Sequence, residues 1–224
     1  MNMALEWTNL KVQPAGGSNN NRNIERIKLG EGENRLRLIG NVMPRYVYWL
    51  TNNEGKRTPV ECLSFVRENE TFTEAPGIDP VKEIDPAIYS DKPVFSYVCN
   101  AVDRKDGKIK LFDLKPTIYR QILDYAMNPE YGNPADTEEG YDISIKKEKT
   151  GPQVMNVKYT CIPSRRTVPL TDEERAAEQY DLEKIFKRPS YAEQKEFLLR
   201  NTSYFSEAVV GDLRIDDNET MEDI

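Results

Sequence analysis

Residues 94–114 read VFSYVCNAVDRKDGKIKLFDL, and this stretch decides the fold. Its apolar run over residues 94–102 predicts a buried strand, and residues 108–114 predict a second strand that returns beside it. Asp106-Gly107 between them is a strong signal for a hairpin turn. The stretch therefore predicts an antiparallel β-hairpin at the centre of the chain.

Short strands are also predicted on both sides of this hairpin. One interior helix begins at Pro116-Thr117, with Ile118, Ile122, Leu123 and Tyr125 on its packing face. Many consecutive strands with a single helix favour a Greek-key barrel or sandwich over a βαβ architecture. The further strands are predicted over residues 34–39, 45–50, 58–65, 141–147 and 154–162, with a break at 41–44.

The C-terminal quarter changes character. Thr171 with Glu174, and Ser190 with Glu193, form capping-box patterns that predict helices from 171 to about 186 and from 190 to about 200. We expect short helical turns near Asp79 and Asp85. The organisation predicted is a flexible arm (1–23), a β core (24–170) with an irregular insertion (67–93), a helical extension (171–202) and a flexible acidic tail (203–224).

Composition excludes several function classes. The chain has 224 residues, no histidine, and three cysteines without a Cys-x-x-Cys spacing, so we expect no metal and no cofactor. We interpret Cys62, Cys99 and Cys161 as buried small apolar residues. Nucleotide-loop and hydrolase motifs are absent and the carboxylates show no convergent pattern, so an enzyme such as a nuclease is the least favoured class. With no signal peptide or membrane span, we expect a soluble cytoplasmic protein.

Charge is distributed unevenly. The net charge is −7, yet residues 171–224 carry a net of −8 and the preceding 170 residues a net of +1. The tail DLRIDDNETMEDI (212–224) holds six acids. It is either a solvated segment that aids solubility or a segment that competes with a polyanion for a basic groove and recruits partners.

Basic residues are interleaved with aromatics along the predicted strands. Cations hold phosphates and flat rings stack on splayed bases, each stack contributing about 1–3 kcal/mol. The alternative is that these aromatics are ordinary strand residues, half-buried in the core. The phosphate candidates are Arg35, Arg37, Lys56, Arg57, Arg104, Lys110 and Lys158. The stacking candidates are Tyr46, Tyr48, Trp49, Phe65, Tyr97 and Tyr159, with Arg45 interleaved among them.

Alternation gives two more specific expectations. Arg35 and Arg37 share one strand face, opposite Leu36 and Leu38. On the next strand only one of the pairs Tyr46/Tyr48 and Val47/Trp49 can face a groove, and we favour the tyrosines with Trp49 at the rim.

Residues 31–170 resemble the bacteriophage single-stranded DNA-binding, or helix-destabilising, proteins. The resemblance is carried by EGENRLRLIG (31–40) with RYVYWL (45–50), by FSYVCNAVDRKDGKIKLFDLKPTIYRQIL (95–123), and by PEYGNPADTEEGYDISIKKEKTG (129–151) with KYTCIPSRRTVPL (158–170). It implies an OB-fold core with a basic, aromatic-lined cleft. It also implies sequence-independent coating of single-stranded DNA in replication, recombination and repair, and a host-cell cytoplasmic location if the chain is phage-encoded.

The same resemblance implies partners and one departure. The acidic tail would contact replication proteins, and the Asn-rich arm would serve self-association on DNA. Many relatives carry a zinc subdomain after the second strand, but here that place holds Cys62 without partner ligands, so we expect no zinc. Two alternatives remain open: an RNA-binding OB module, and an adaptor or structural protein whose helices at 171–200 dock a partner.

Overall fold

The computed structural model describes residues 24–83, 93–153 and 156–202 of the chain. Within them the strands are β1 (Gly32–Thr51), β2 (Arg57–Glu61), β3 (Phe65–Val66), β4 (Thr71–Phe72), β5 (Val94–Asp103), β6 (Lys108–Leu114), β7 (Ile143–Lys149) and β8 (Val157–Pro163). The helices are α1 (Pro116–Ala126), α2 (Asp172–Ala176), α3 (Leu182–Ile185), α4 (Tyr191–Asn201) and a 3-10 helix (Pro80–Glu83). The predicted arm (1–23), the predicted tail (203–224) and Asp85 lie outside the described residues.

Six strands form one sheet, in the order β6-β5-β1-β7-β8 with β2 also paired to β1. The pairings of β1 with β2 and β7, of β5 with β6, and of β7 with β8 are antiparallel. β3 and β4 form a separate two-stranded sheet. The first strand therefore lies between β5 and β7, and the mainly β class with few helices predicted from the sequence is confirmed.

β1 is one strand of 20 residues, where the sequence predicted two strands with a break at 41–44. Its residues 32–36 pair with β7 and its residues 47–51 pair with β2. Gly40 has a φ of 66°, a left-handed conformation that glycine adopts without steric cost. Residues 40–44, which the sequence suggested as a break, thus separate the part of β1 that pairs with β7 from the part that pairs with β2, and the strand continues through them.

The chain divides into two compact units. The first, called the core unit here, comprises residues 24–46, 66–71, 95–153 and 156–187 of the described chain. The second unit comprises residues 47–65, 72–83, 93–94 and 188–202.

The core unit is built on the predicted central hairpin and helix. Gly107, with a φ of 73°, closes the hairpin by donating its backbone N–H to the carbonyl of Asp103 at 2.8 Å. α1 buries Ile118 and Ile122, as its periodicity predicts. These side chains join an apolar cluster that includes Leu36, Leu38, Cys99, Phe112, Ile143, Ile145 and Cys161.

Arg37 is fully buried, at 0% exposure, on the side of β1 opposite Leu36 and Leu38. Its Nε donates to the carbonyl of Val168 at 3.1 Å, and its terminal nitrogens donate to the carbonyls of Pro134 and Asp136. Desolvation lowers the pKa of Arg37 to about 10, so the guanidinium remains charged at neutral pH. Arg37 shares a strand side with Arg35, as alternation predicts, but the expectation that it contacts a phosphate is wrong, because its donors bind two loops that cover this part of β1.

The C-terminal helices begin where the capping boxes predict. The side chains of Thr171 and Ser190 each accept a hydrogen bond from the backbone N–H three residues later. The side chains of Glu174 and Glu193 in turn accept a hydrogen bond from the backbone N–H of Thr171 and of Ser190. The single helix predicted from 171 to about 186 is wrong, since the chain forms α2 and α3 instead. Between them the backbone N–H and carbonyl of Tyr180 bind the side-chain amide of Asn100 at 3.0 and 2.9 Å, which holds this segment extended against β5.

The second unit contains a buried polar cluster. The Cys62 thiol lies 3.2 Å from the Ser64 hydroxyl and 3.5 Å from the Tyr48 hydroxyl, which also donates to Asp79. All three cysteines are buried and free, as predicted, but Cys62 has polar neighbours. The short 3-10 helix after Asp79 confirms the helical turn expected there.

Replacing Arg37 with Met should lower the free energy of unfolding by about 3 kcal/mol or more, because buried carbonyls lose a charged donor. Urea denaturation followed by circular dichroism measures this. Lys146→Met is the matched control: Lys146 is half-exposed and paired with Glu148, so its loss should cost less than about 1 kcal/mol. An unfolding midpoint of Arg37→Met equal to that of the wild type would contradict the structural role of Arg37.

Candidate nucleic-acid interface

Four rings of the core unit lie together and are called the aromatic cluster here: Tyr46, Phe95, Tyr97 and Tyr119. Tyr97 stacks on Tyr119 with ring centroids 3.7 Å apart, and Phe95 is nearly parallel to Tyr97 at 6.2 Å. Tyr46 meets Phe95 edge-on at 4.7 Å. Tyr97 is buried in the middle, while the other three rings are partly exposed.

Three elements of the core unit supply these rings. Phe95 and Tyr97 are two residues apart on β5 and so project to the same side of the strand. Tyr119 comes from the first turn and a half of α1, and Tyr46 from β1. Phe95 and Tyr119 also pack against the apolar cluster of the core unit, and the three partly exposed rings are aromatic groups of the kind on which nucleobases stack.

The hydroxyls of Tyr97 and Tyr119 remain protonated over the physiological range. Burial raises the pKa of Tyr119 to about 12, and burial together with the charge of Glu70 raises the pKa of Tyr97. Tyr97 donates its hydroxyl hydrogen to Glu70 at 3.2 Å. These two tyrosines are therefore uncharged, and their hydroxyls can donate hydrogen bonds to an anion.

Two exposed cations lie at the start of α1, the helix that supplies Tyr119. Arg120 is exposed, follows Tyr119 on α1, and is close enough to Tyr97 for its positive charge to oppose the rise in the pKa of Tyr97. Lys115, also exposed, lies at the N-cap of α1 with its ammonium 4.8 Å from the ring centre of Tyr159. Rings and cations thus occur together around the start of α1.

Sequence reasoning missed Phe95, Tyr119, Arg120 and Lys115. α1 was interpreted only as a packing helix because Ile118 and Ile122 explain its apolar face. A local signal exists for two of the four: Tyr119 and Arg120 are adjacent in the sequence and combine a ring with a cation, and neither is needed to explain the apolar face of Ile118 and Ile122.

Arg35 and Arg104 meet at one buried acid. The carboxylate of Asp142 is 3% exposed, and it pairs with Arg35 at 2.8 Å and with Arg104 at 2.9 Å. Arg104 also pairs with Glu174 of α2. Arg35 keeps about half of its side chain exposed, whereas Arg104 is mostly covered. Of the two, Arg35 is therefore the more accessible to a ligand.

Lys110, Lys158 and Tyr159 have different surroundings. Lys110 is covered and binds Asp103 at 2.9 Å and Asp106 at 2.6 Å, so its charge is neutralised locally. Lys158 is exposed. Successive residues of β8 project to opposite faces, so Tyr159 lies on the side of the sheet that packs against α1.

Arg45 lies over the ring of Phe186, 4.1 Å from the centroid. Arg26 approaches the same ring at 5.7 Å. These cation–π contacts anchor the segment after α3 within the core unit, so Arg45 already binds an aromatic group of the protein itself.

The other predicted residues belong to the second unit. Trp49 is 37% exposed, and Lys56 and Arg57 are exposed at the start of β2. Tyr48 and Phe65 are buried. The expectation that Tyr48 faces a groove with Tyr46 is wrong, because the Tyr48 hydroxyl binds Asp79 in the polar cluster described above.

Comparison with known proteins identifies the family. A family model described as "gp32 DNA binding protein like" matches residues 49–202. The chain belongs to the gp32-like DNA-binding protein family. It is 37% identical over 158 residues to the "Probable ssDNA-binding protein" of Escherichia phage T5. This match covers 66% of this chain and 57% of that relative. The chain thus spans a little over half the length of this relative, and the resemblance predicted from the sequence is confirmed.

Neither a metal centre nor a membrane span is seen in the described part of this gp32-like chain. No group of three or more Cys, Asp or Glu side chains there is arranged to hold a metal ion. Cys62 instead contacts Ser64 and Tyr48, a set that does not fit a zinc site. None of the described helices is long and apolar enough to cross a membrane.

Proposed function

We propose that this protein binds single-stranded DNA without sequence preference and without catalysis. The observation that carries the proposal is the aromatic cluster with Arg120 and Lys115 beside it, in a chain of the gp32-like family. Duplex DNA keeps its bases stacked on one another, so an exposed aromatic surface suits a strand whose bases are free.

Bases stack on the partly exposed rings of Tyr46, Phe95 and Tyr119, while Arg120 and Lys115 hold the phosphates between them. Every base has a π-face, so this arrangement is tolerant of sequence. Tyr97, buried between Phe95 and Tyr119, supports the two rings from within.

Some of the residues predicted from the sequence remain candidate contacts. They are accessible in part or in full, and they are Arg35, Arg45, Arg104, Trp49, Lys56, Arg57, Lys158 and Tyr159. Lys110 contributes less because two carboxylates neutralise it. Arg37, Tyr48 and Phe65 stabilise the fold and are not part of the proposed surface.

The proposed biological role is protection of single strands during phage DNA replication, recombination and repair, in the cytoplasm of the host cell. The relative from phage T5, by its name "Probable ssDNA-binding protein", supports the single-stranded DNA binding on which this proposed role rests. The acidic tail is proposed to contact replication proteins and, in the free protein, to compete with DNA for its cations. The N-terminal arm is proposed to serve self-association along the strand.

Fluorescence anisotropy with a labelled oligo(dT) of about 30 nucleotides tests the proposal. We expect binding well above that to duplex, with log K falling linearly in log salt at about −0.7 per phosphate contact. Phe95→Ala and Tyr119→Ala should each weaken binding by about 1–3 kcal/mol, whereas Met127→Ala, an exposed control on the residue after α1, should leave it unchanged.

Two results would contradict the function. One is no salt-dependent binding to the single strand, and the other is equal effects of the cluster and control variants. A matched RNA oligonucleotide bound more tightly than the DNA would instead indicate an RNA-binding protein. Circular dichroism of each variant confirms that it is folded.

Deletion of residues 211–224 should tighten binding to oligo(dT) at low salt, because a polyanion competitor is removed. The gain should shrink as salt rises, since screening weakens the competition. Affinity that is unchanged or weaker after truncation would count against the competitor role of the tail.

A further inference from the structure

Glu70 places a carboxylate directly on the aromatic cluster. Its Oε2 accepts the hydroxyl hydrogen of Tyr97 at 3.2 Å. Its negative charge also acts on Tyr119, the ring stacked on Tyr97. The Glu70 carboxylate therefore lies beside the hydroxyl of Tyr97, on the surface proposed above to bind single-stranded DNA, which is itself a polyanion.

The backbone holds Glu70 in this position at some cost. Its φ is 52°, and it is the non-glycine residue with a left-handed conformation in the described chain. Such a conformation is unfavourable for an ordinary residue and persists where the surroundings enforce it. Here the turn between β3 and β4 is fixed on either side: Asn69 accepts from the Thr71 backbone N–H and hydroxyl at 3.2 and 2.6 Å.

Arg67 anchors the start of the same turn within the core unit. Its side chain is mostly buried, donates to the carbonyl of Phe186 at 2.9 Å, and pairs with Glu183 at 3.3 Å. The turn thus has a fixed end at Arg67, and the carboxylate of Glu70 reaches the aromatic cluster from its other end.

A phosphate oxygen has the same hydrogen-bonding chemistry as this carboxylate oxygen. Both are anionic acceptors that form strong hydrogen bonds with a neutral hydroxyl donor. Arg120, whose charge already acts on Tyr97, would supply the opposite charge for a phosphate at that position.

We propose that the Tyr97 hydroxyl and Arg120 form a phosphodiester subsite that Glu70 occupies in the free protein, so that Glu70 is an intramolecular competitor of DNA. This inference rests on the proposed function. When a strand stacks on the cluster, a backbone phosphate replaces Glu70 at Tyr97, and the turn residue moves away from the surface.

The test compares charge-removing variants at two positions of one turn. Glu70→Asn shortens the side chain so that it no longer reaches Tyr97, and Asn tolerates a left-handed backbone. Glu70→Gln removes the charge but keeps the reach. Glu68→Asn and Glu68→Gln remove the same charge from an exposed residue two positions earlier. Each is titrated with labelled oligo(dT) at low and moderate salt.

We expect Glu70→Asn to bind oligo(dT) about two- to fivefold more tightly than Glu68→Asn does, because removing one unfavourable surface charge has an effect of about this size. The affinity of Glu70→Gln should be intermediate. In the Tyr97→Phe background, where no hydroxyl is available to a phosphate, the gain from Glu70→Asn should fall to the level of Glu68→Asn.

Several outcomes would overturn the subsite. Equal affinities of the Glu70 and Glu68 variants, weaker binding by Glu70→Asn, or a gain that persists in Tyr97→Phe would each do so. Should Glu70→Asn fail to fold, the affinities of Glu70→Gln and Glu68→Gln for oligo(dT) are compared instead, and equal affinities would overturn the subsite. Failure of the wild-type protein itself to bind oligo(dT) would contradict the proposed function instead, so the two failures are distinguishable.

Discussion

The buried guanidinium of Arg37 is the interaction on which the core unit depends. A buried charge must have its donors satisfied, and Arg37 does so by binding backbone carbonyls at 134, 136 and 168. The loop before β7 and the segment after β8 are therefore tied to β1. The same packing requires glycine at position 140, because a Cβ there would collide with the guanidinium of Arg37. Two residues later, Asp142 holds Arg35 and Arg104, so one stretch of chain organises all three arginines.

This arrangement separates two kinds of basic residue that look alike in the sequence. Arg37 and Lys110 are covered and Arg104 is mostly covered, and all three are bound to groups of the protein that compensate much of their charge. Arg120 and Lys115 are exposed on α1, beside rings brought together from β1, β5 and α1. Function follows from this second set: neutral rings give sequence-tolerant stacking, and flexible surface cations give salt-dependent attraction to phosphate.

The sequence predicted the features that have local signals. The Asp-Gly hairpin, the start of α1 and both capping boxes depend on neighbours a few residues apart, and all are confirmed. Its errors involve contacts distant in sequence. β1 continues through residues 41–44 because its two ends have different partners, and the 171–186 helix is interrupted because Asn100 binds Tyr180. Alternation placed Arg37 and Tyr48 on an exposed face because it assumes a strand covered on one side only. Phe95 and Tyr119 were missed because no local pattern shows that β5 and α1 bring their rings into contact.

The central claim is that single-stranded DNA stacks on the aromatic cluster. Photocrosslinking of a 5-bromodeoxyuridine oligonucleotide to the full-length protein, followed by mass-spectrometric mapping of the modified residues, tests it most directly. Crosslinks are expected at Tyr46, Phe95 or Tyr119, and they should be lost on competition with unlabelled oligo(dT) and reduced at high salt. Competed crosslinks that all map elsewhere, with none on these three rings, would contradict it.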